Sequence, residues 1–181
     1  MYKRQTYTFG RQKGATPEIQ NDLEAGMCNY RDIIKEQFDL DMDNIPGSGA
    51  AGGLGTALMV FLNGTLKSGI ETVLDLVDFD EHLKDVDIVV TGEGATDWQS
   101  VFGKVMQGVG VHCKKRHIPA VAIVGSMGSG AEDIFDYGIE SIITTVNNIM
   151  PLSDALNHAE ELYLGAARRM FRLLKAGMQM R

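Results

Sequence analysis

The spacing of hydrophobic residues in the first half of the chain predicts helices. Between residues 17 and 38, apolar side chains recur every three or four positions, as on one face of an amphipathic helix. Thr16 precedes a proline at the first helical position, which is a favourable helix start. Ser68-Gly-Ile-Glu71 forms a capping box and predicts a second helix. The apolar segment 56–62 and a short stretch at 80–84 are also expected to be helical.

In the second half, short β-branched segments alternate with helical patterns. The composition predicts buried strands at 87–91, 119–124 and 139–145. A long helix with Ser153 as its N-cap is expected to follow and to end near residue 176. Alternating strands and helices favour parallel pairing through right-handed crossovers, so the expected class is α/β, doubly wound, with helices on both faces of the sheet.

Three strands are few for such a sheet, and we expect one or two more. In the first 86 residues, the only candidate strand is Gln5–Phe9. Turns are predicted at 92–97 and 125–130, and helices at 103–115 and 131–137. The sheet predicted from this chain alone is therefore incomplete.

Composition and charge narrow the functional class. The 181 residues are 44% hydrophobic and 23% charged, which is typical of a soluble globular protein. The net charge of −7 argues against nucleic acid as a partner, and no apolar run is long enough to cross a membrane. Cys28 and Cys113 are far apart and are expected to be reduced thiols in a cytoplasmic protein. None of the histidines has metal-ligand spacing, and we expect all four at the surface or on helix flanks: His82, His112, His117 and His158.

Two glycine-containing turns are predicted at the ends of neighbouring strands. Thr91–Asp97 follows the first strand and Gly125–Gly130 follows the second. In an open parallel sheet, ligands bind beyond the carboxyl ends of the strands. Backbone amides of such turns can approach an anion, while Glu93 and Asp97 could hold Mg²⁺ or accept a proton from a substrate hydroxyl. Ordinary β-to-α turns remain the alternative interpretation.

A third glycine-rich segment, Gly47–Gly55, contains the letters of a dinucleotide-binding motif. That motif requires a strand immediately before it, and none is predicted here. Close helix packing explains the small residues equally well.

Taken together, several motifs resemble the bacterial glycerate kinase family. The resemblance extends over nearly the whole chain after about residue 8, and the motifs keep the order and spacing of that family. They are Phe9–Thr16, Pro46–Gly55, Thr91–Asp97, Gln99–Lys104 and Ala122–Ser126.

The resemblance implies an enzyme that uses ATP and Mg²⁺ to phosphorylate D-glycerate to phosphoglycerate, with 2-phosphoglycerate favoured. It also implies a Rossmann-like domain interrupted by an inserted second domain. Residues 1–45, including the helix at 17–38, would be the tail of the inserted domain. Residues 46–181 would be the C-terminal part of the Rossmann-like domain. The N-terminal half would be missing, residues 1–5 would be a junction, and the isolated chain would be inactive.

The resemblance also assigns expected roles to individual residues. Asp97 would lie near the glycerate hydroxyl as a base or through Mg²⁺. Glu93 would support the metal or bind a substrate hydroxyl, and Lys104 would neutralise phosphate or the glycerate carboxylate. Ala95 stands where the family usually has a cation, which puts one substrate contact in question. The residues expected to bind substrate or ATP are Gly47, Ser48, Gly49, Gly52, Gly53, Thr91, Gly92, Gly94, Gln99, Ser100, Gly125 and Ser126.

Two other hypotheses remain open at this stage. A non-catalytic nucleotide- or phosphate-binding module would bind anions without any further segment. An inactive structural fragment would expose apolar surface where missing strands dock. A homodimer is compatible with the sequence, which does not define the oligomeric state.

Overall fold

The computed structural model describes residues 5–101 and 103–180. It is a mixed α/β structure that divides into two compact units between Lys67 and Ser68. The helices are α1 Gln5–Phe9, α2 Pro17–Phe38, α3 Ala50–Leu62, α4 Gly69–Leu76, α5 Phe79–His82, α6 Val105–Lys115, α7 Leu152–Asn157 and α8 Ala159–Gly177. The strands are β1 Val89–Thr96, β2 Ala120–Met127 and β3 Ile139–Thr144, and three short 3-10 helices span Arg11–Lys13, Trp98–Val101 and Ala131–Tyr137.

The long helix of the first unit begins where the sequence predicts. Thr16 Oγ1 accepts a hydrogen bond from the Ile19 N–H at 3.4 Å, and Pro17 occupies the first helical position. Gln5–Phe9, however, is helical, so its prediction as a strand was wrong. Gln20 Nε2 donates to Thr6 O at 3.3 Å, which fastens α1 to α2. This tertiary contact outweighs the β-propensity of a Thr-Tyr-Thr-Phe segment.

Helix α3 has an irregular first turn. Its residues 51–53, which we call the left-handed segment, have φ angles of 51°, 69° and 93°. Two of the three are glycines, which adopt this conformation without steric strain. Ala51 is the exception, because its Cβ makes the left-handed region unfavourable.

The second unit contains a three-stranded parallel sheet in the order β1-β2-β3. The pairing of β1 with β2 runs from Val89 opposite Ala120 to Thr96 opposite Met127. Because the ladder continues so far, the predicted turns at 92–96 and 125–127 were wrong: both segments are strand. Their glycines permit a close approach of the two backbones. A Cβ at Gly125 would lie 2.2 Å from the carbonyl oxygen of Gly94.

Alternate side chains of β2 enter two apolar clusters, one on each face of the sheet. Ala122 and Val124 pack in the cluster that contains Met106 and Val109 of α6. Val121 and Ile123 pack with Ala166 and Met170 of α8. The period of two along β2 thus places α6 on one face and α8 on the other, as the alternation of strands and helices predicts.

The C-terminal helical region differs from the prediction in two respects. It consists of α7 and α8, which meet at His158, where ψ is 22°. Pro151, rather than Ser153, precedes the first helical turn. The Ser153 hydroxyl donates to Asp154 Oδ1 at 3.2 Å and does not cap the helix. Pro151 has a φ of −61° and an extended ψ of 151°. Proline favours a position at the start of a helix because it has no backbone N–H to donate within the helix.

Among residues 5–101 and 103–180, no helix combines the length and the apolar character needed to cross a membrane. The predicted boundary between residues 45 and 46 concerns the domains of a longer enzyme. It differs from the division between compact units and stays a prediction. The prediction of a junction at residues 1–5 falls largely on residues 1–4, which lie outside the described residues.

Candidate functional site

The end of β1 leads directly into a tight turn that carries Asp97. We call residues 96–100 the acidic turn. The carboxylate Oδ1 of Asp97 accepts the Gln99 N–H at 2.8 Å, and the carbonyl of Asp97 accepts the Ser100 N–H at 2.9 Å. These two bonds fix the carboxylate relative to its own backbone. Asp97 is half-buried, so the acid remains accessible from one side.

Two hydroxyl groups lie beneath the acidic turn. Thr96 and Ser100 are both fully buried, and the Thr96 hydroxyl donates to Ser100 Oγ at 2.9 Å. Ser100 Oγ also accepts the N–H of Asp97 at 3.2 Å. Ser100, predicted as a ligand-binding residue, therefore directs its hydroxyl toward the turn itself.

Residues 125–130, which we call the second glycine segment, pack against the acidic turn. The Gly128 N–H donates to Thr96 O at 2.7 Å, and the Trp98 N–H donates to Ser129 O at 3.0 Å. As predicted, the two segments share one edge of the sheet. They meet through the strand ladder and these bonds, with Ala95 opposite Ser126.

Glu93 belongs to the strand and not to the turn. It pairs with Val124 and has the same parity as Val89, so its side chain emerges on the face covered by α6. Asp97 follows Glu93 by four positions along an extended backbone, which corresponds to roughly 13 Å between their Cα atoms. That separation argues against one ion held by both carboxylates in this conformation.

Metal binding at this edge would depend on few protein ligands. Among the residues that the structure describes, no three His, Cys, Asp or Glu side chains cluster closely enough to hold a metal ion. Mg²⁺ is commonly bound by one or two carboxylates together with substrate phosphates. The Asp97 carboxylate fits that mode as a single protein ligand, while the metal roles of Asp97 and Glu93 stay predictions.

Lys104 lies at the start of α6. It is the N-cap residue, and its carbonyl accepts the Gly108 N–H at 3.1 Å. The Gln107 side chain reaches back and accepts the Gly103 N–H at 2.7 Å, which stabilises the entry to the helix. A helix N-terminus carries a partial positive charge that is favourable for a phosphate. Lys104 is half-buried, and its proposed role with anions stays a prediction.

The remaining predicted ligand residues occupy two different settings. Thr91, Gly92 and Gly94 lie in β1, Gly125 and Ser126 lie in β2, and Gln99 lies in the 3-10 helix after β1. The group from Gly47 to Gly53 belongs to the first unit, at the irregular start of α3.

The glycine-rich start of α3 encloses polar atoms without partners. The Ser48 hydroxyl and the Tyr30 hydroxyl are both buried, and neither has a hydrogen-bond partner among the described residues. A Cβ at Gly53 would lie 3.3 Å from Cε1 of Tyr30, so glycine makes room for this ring. Ala51 and Gly52 line an open, mainly apolar groove of about 650 Å³ between α1 and α2, which the sequence did not predict.

One histidine differs from its expected surface position. His112 has a side chain only 11% exposed, and it lies between Asp80 Oδ1 at 2.8 Å and Glu71 Oε2 at 3.0 Å. Burial lowers the pKa of His112, but the hydrogen bonds to Asp80 and Glu71 outweigh it and raise the pKa above its ordinary value. The hydrogen bonds from His112 and Arg116 lower the pKa of Asp80. His112 thus links α4, α5 and α6 through its two ring nitrogens.

Comparisons with known proteins agree with the motifs. The family model described as the glycerate kinase family matches residues 3–175. A glycerate kinase of Halalkalibacterium halodurans is 41% identical over 162 residues, which cover 90% of this chain and 43% of that protein. A glycerate 2-kinase of Escherichia coli is 38% identical over 171 residues, which cover 94% of this chain and 45% of that protein.

A solved structure gives the same picture. The crystal structure assigned to a glycerate kinase 2 of Salmonella typhimurium LT2 matches with a TM-score of 0.64 and 36% identity. The match covers 97% of this chain and 45% of the crystallised one. The chain therefore spans less than half the length of the relatives that it matches.

Proposed function

The chain belongs to the glycerate kinase family, and from this premise we propose that it contributes the acidic turn to a site that phosphorylates glycerate with ATP. The observation that carries the proposal is the Asp97 carboxylate, held at the carboxyl end of β1 by the Gln99 N–H at 2.8 Å. This edge is where parallel sheets bind their ligands.

Asp97 is proposed as the base for the reacting hydroxyl. The hydroxyl oxygen of glycerate would form a bond to the γ-phosphorus of ATP, and the bond between that phosphorus and the β,γ-bridging oxygen would break. ADP would leave, and the hydroxyl proton would pass to the Asp97 carboxylate. We favour the 2-hydroxyl as the acceptor, which would give 2-phosphoglycerate.

Charge neutralisation would come from neighbouring groups. Lys104 and the N-terminus of α6 would face phosphate or the carboxylate of glycerate, because phosphoryl transfer depends mainly on positioning and on compensation of negative charge. Mg²⁺ bound to phosphate oxygens would supply further positive charge, and Asp97 as a ligand of that ion is the alternative to Asp97 as the base. Glu93, on the α6 face, would bind a substrate hydroxyl.

The full site is proposed to need the part of the family's length that this chain does not span. Large apolar side chains are exposed on the second unit, as expected where another segment packs. Val73, Leu76 and Val77 are 54%, 78% and 51% exposed, and Leu156 and Leu173 are 67% and 68% exposed. We therefore propose a Rossmann-like domain completed by an N-terminal half, with residues 1–45 as the tail of an inserted domain.

The test is a coupled kinase assay with ATP and D-glycerate. It is run on this chain alone and on the chain completed with the N-terminal half of the Salmonella relative. Each form is assayed with Asp97→Asn and with Asp85→Asn, a matched change at an exposed acid that precedes β1. Activity of the completed protein, reduced at least about 100-fold by Asp97→Asn and unchanged by Asp85→Asn, is the expected result.

The identity of the product separates the two hydroxyls. ³¹P NMR of the reaction mixture distinguishes 2-phosphoglycerate from 3-phosphoglycerate. A completed protein that folds and binds ATP but transfers no phosphate would refute the kinase proposal and favour a phosphate-binding module.

A further inference from the structure

Both the side chain and the backbone of Asp97 are held by hydrogen bonds. Its side chain accepts the Gln99 N–H at 2.8 Å, while its own N–H donates to Ser100 Oγ at 3.2 Å. The preceding residue is bound in turn by Gly128, whose N–H donates to Thr96 O at 2.7 Å. Bonds from the segments that follow β1 and β2 thus hold the backbone at Thr96 and Asp97.

The buried hydroxyls of Thr96 and Ser100 form hydrogen bonds that apolar side chains could not form. Burial of a hydroxyl is unfavourable unless it is hydrogen-bonded, and apolar residues of similar size would fill the space at less cost. Here Ser100 Oγ accepts from both the Thr96 hydroxyl and the Asp97 N–H. The two hydroxyls therefore connect the backbone of Asp97 to the side chain of Thr96 at the end of β1.

Gly128 limits the position of Asp97 from the opposite side. A Cβ at Gly128 would lie 3.1 Å from the Cβ of Asp97, which is tighter than ordinary van der Waals contact. Gly128 is not among the residues with positive φ, so alanine can adopt its backbone conformation. Gly130 plays a similar part for Trp98, because a Cβ there would lie 2.8 Å from the Cβ of Trp98.

We infer that Thr96, Ser100 and Gly128 are positioning residues that hold the Asp97 carboxylate in place for phosphoryl transfer. The inference rests on the proposed function for its catalytic consequence. It assigns Ser100 a role other than direct ligand binding. It also assigns the second glycine segment the role of restricting the position of Asp97. Displacement of a reacting group by about 1 Å can reduce a rate by about 100-fold. Small changes at Thr96, Ser100 or Gly128 are therefore expected to affect catalysis.

The experiment compares variants that differ by one group. Thr96→Val removes the hydroxyl and keeps the shape, whereas Thr96→Ser keeps the hydroxyl. Ser100→Ala removes the acceptor of the Asp97 N–H. Gly128→Ala adds one methyl group beside Asp97, and Gly69→Ala is its control, since a Cβ there meets no atom within 4 Å.

Two readouts are taken for each variant. Amide hydrogen exchange at Asp97 and Gln99 is measured by NMR on the 181-residue chain. The values of kcat and KM are measured in whichever form of the protein phosphorylates glycerate. Thr96→Val, Ser100→Ala and Gly128→Ala are expected to accelerate exchange at these amides. They are also expected to lower kcat about tenfold or more, with KM for both substrates nearly unchanged. Thr96→Ser and Gly69→Ala should resemble the wild type in both readouts.

The outcomes separate this inference from the proposed function. Unchanged amide exchange in Thr96→Val and Ser100→Ala would overturn the positioning role whether or not the enzyme is active. A lower melting temperature with unchanged kcat would overturn it as well, because the residues would then be structural only. Absence of activity in every wild-type form would refute the proposed kinase, and the exchange data would still decide whether these residues hold Asp97.

Discussion

The strand end at Gly125 and the left-handed segment at residues 51–53 both rely on glycine, but for different physical reasons. Gly125 has no left-handed backbone, and glycine is needed there because a Cβ would lie 2.2 Å from the Gly94 carbonyl oxygen. Gly52 has open space around its Cα and a φ of 69°. In one region glycine allows two chains to approach, and in the other it allows one chain to turn.

Glycines in similar sequence motifs are therefore expected to tolerate different substitutions. A side chain at Gly125 is excluded by a neighbour, so every larger residue should be unfavourable there. A side chain at Gly52 is disfavoured by backbone conformation, so residues that tolerate the left-handed region should be accepted. Gly94 has neither constraint, because a Cβ there meets no atom within 4 Å and its φ is not positive.

The largest effect is expected at Gly125. Gly125→Ala forces β1 and β2 apart at the site edge, and we expect a loss of about 3 kcal/mol in the free energy of unfolding, at the upper end of overpacking effects. Urea denaturation followed by circular dichroism measures the change. Gly94→Ala is the control and should be neutral or stabilising by about 0.5 kcal/mol, because alanine loses less entropy than glycine. Equal losses at the two positions would contradict the steric explanation.

A smaller effect is expected at Gly52. Gly52→Ala should destabilise the first unit by about 1 to 2 kcal/mol, which is the strain of the left-handed conformation for an ordinary residue. Gly52→Asn should recover part of that loss, whereas Gly125→Asn should recover none, because asparagine relieves conformational strain but not a clash. If asparagine and alanine were equivalent at Gly52, conformation would not be the constraint.

The stability of the second unit is expected to depend on pH more than that of the first unit. The pKa of His112 is raised in the folded state, so its bonds to Asp80 and Glu71 stabilise the second unit below about pH 6.5, the ordinary value for histidine. This stabilisation is lost as the pH rises through the folded-state pKa. Since both carboxylates are about half exposed, we expect about 1 kcal/mol.

Amide exchange monitored in each compact unit from about one pH unit below to about two above the ordinary histidine pKa measures this effect. Residues 69–115 should lose protection as the pH rises, and residues 17–62 should not. His112→Gln keeps polarity but cannot titrate here, so it should remove the difference. A pH dependence that survives in His112→Gln would exclude this histidine as its source.

The smallest effect is expected from relief of strain at Ala51. Ala51→Gly should stabilise the first unit by about 0.5 kcal/mol, because removal of left-handed strain exceeds the added entropy of the unfolded glycine. Thermal unfolding measures the gain, with Ala159→Gly at the start of α8 as a control that should lose stability. Loss of stability in Ala51→Gly would show that its Cβ makes favourable contacts that outweigh the strain.

Local signals in the sequence were sufficient for much of the fold. The cap at Thr16, the capping box at Ser68 and the β-branched segment after Pro119 predicted α2, α4 and β2 because each depends on neighbours in the chain. Gln5–Phe9 and Ser153 were mispredicted since a tertiary bond to Gln20 and the adjacent Pro151 decide their conformation.

The candidate site was predictable in its location but not in its internal structure. Asp97 follows the first strand, as the sequence predicted, and its role in a site stays a prediction. The glycines before it predicted turns, whereas Gly92 and Gly94 continue a strand because the pairing of β1 with β2 extends to Thr96 opposite Met127. The buried positions of Ser100 and His112 depend on residues 4 to 41 positions away, which no local pattern specifies.

The order of the strands has a consequence for biosynthesis. Among the described strands, β2 pairs with β1 and β3 pairs with β2, so none of the three is inserted between two that are made earlier. As the polypeptide leaves the ribosome, β2 can pair with β1 once α6 has formed, and β3 then adds to the free edge of β2. The sheet can therefore assemble vectorially during translation, which shortens the time for which β1 remains unpaired.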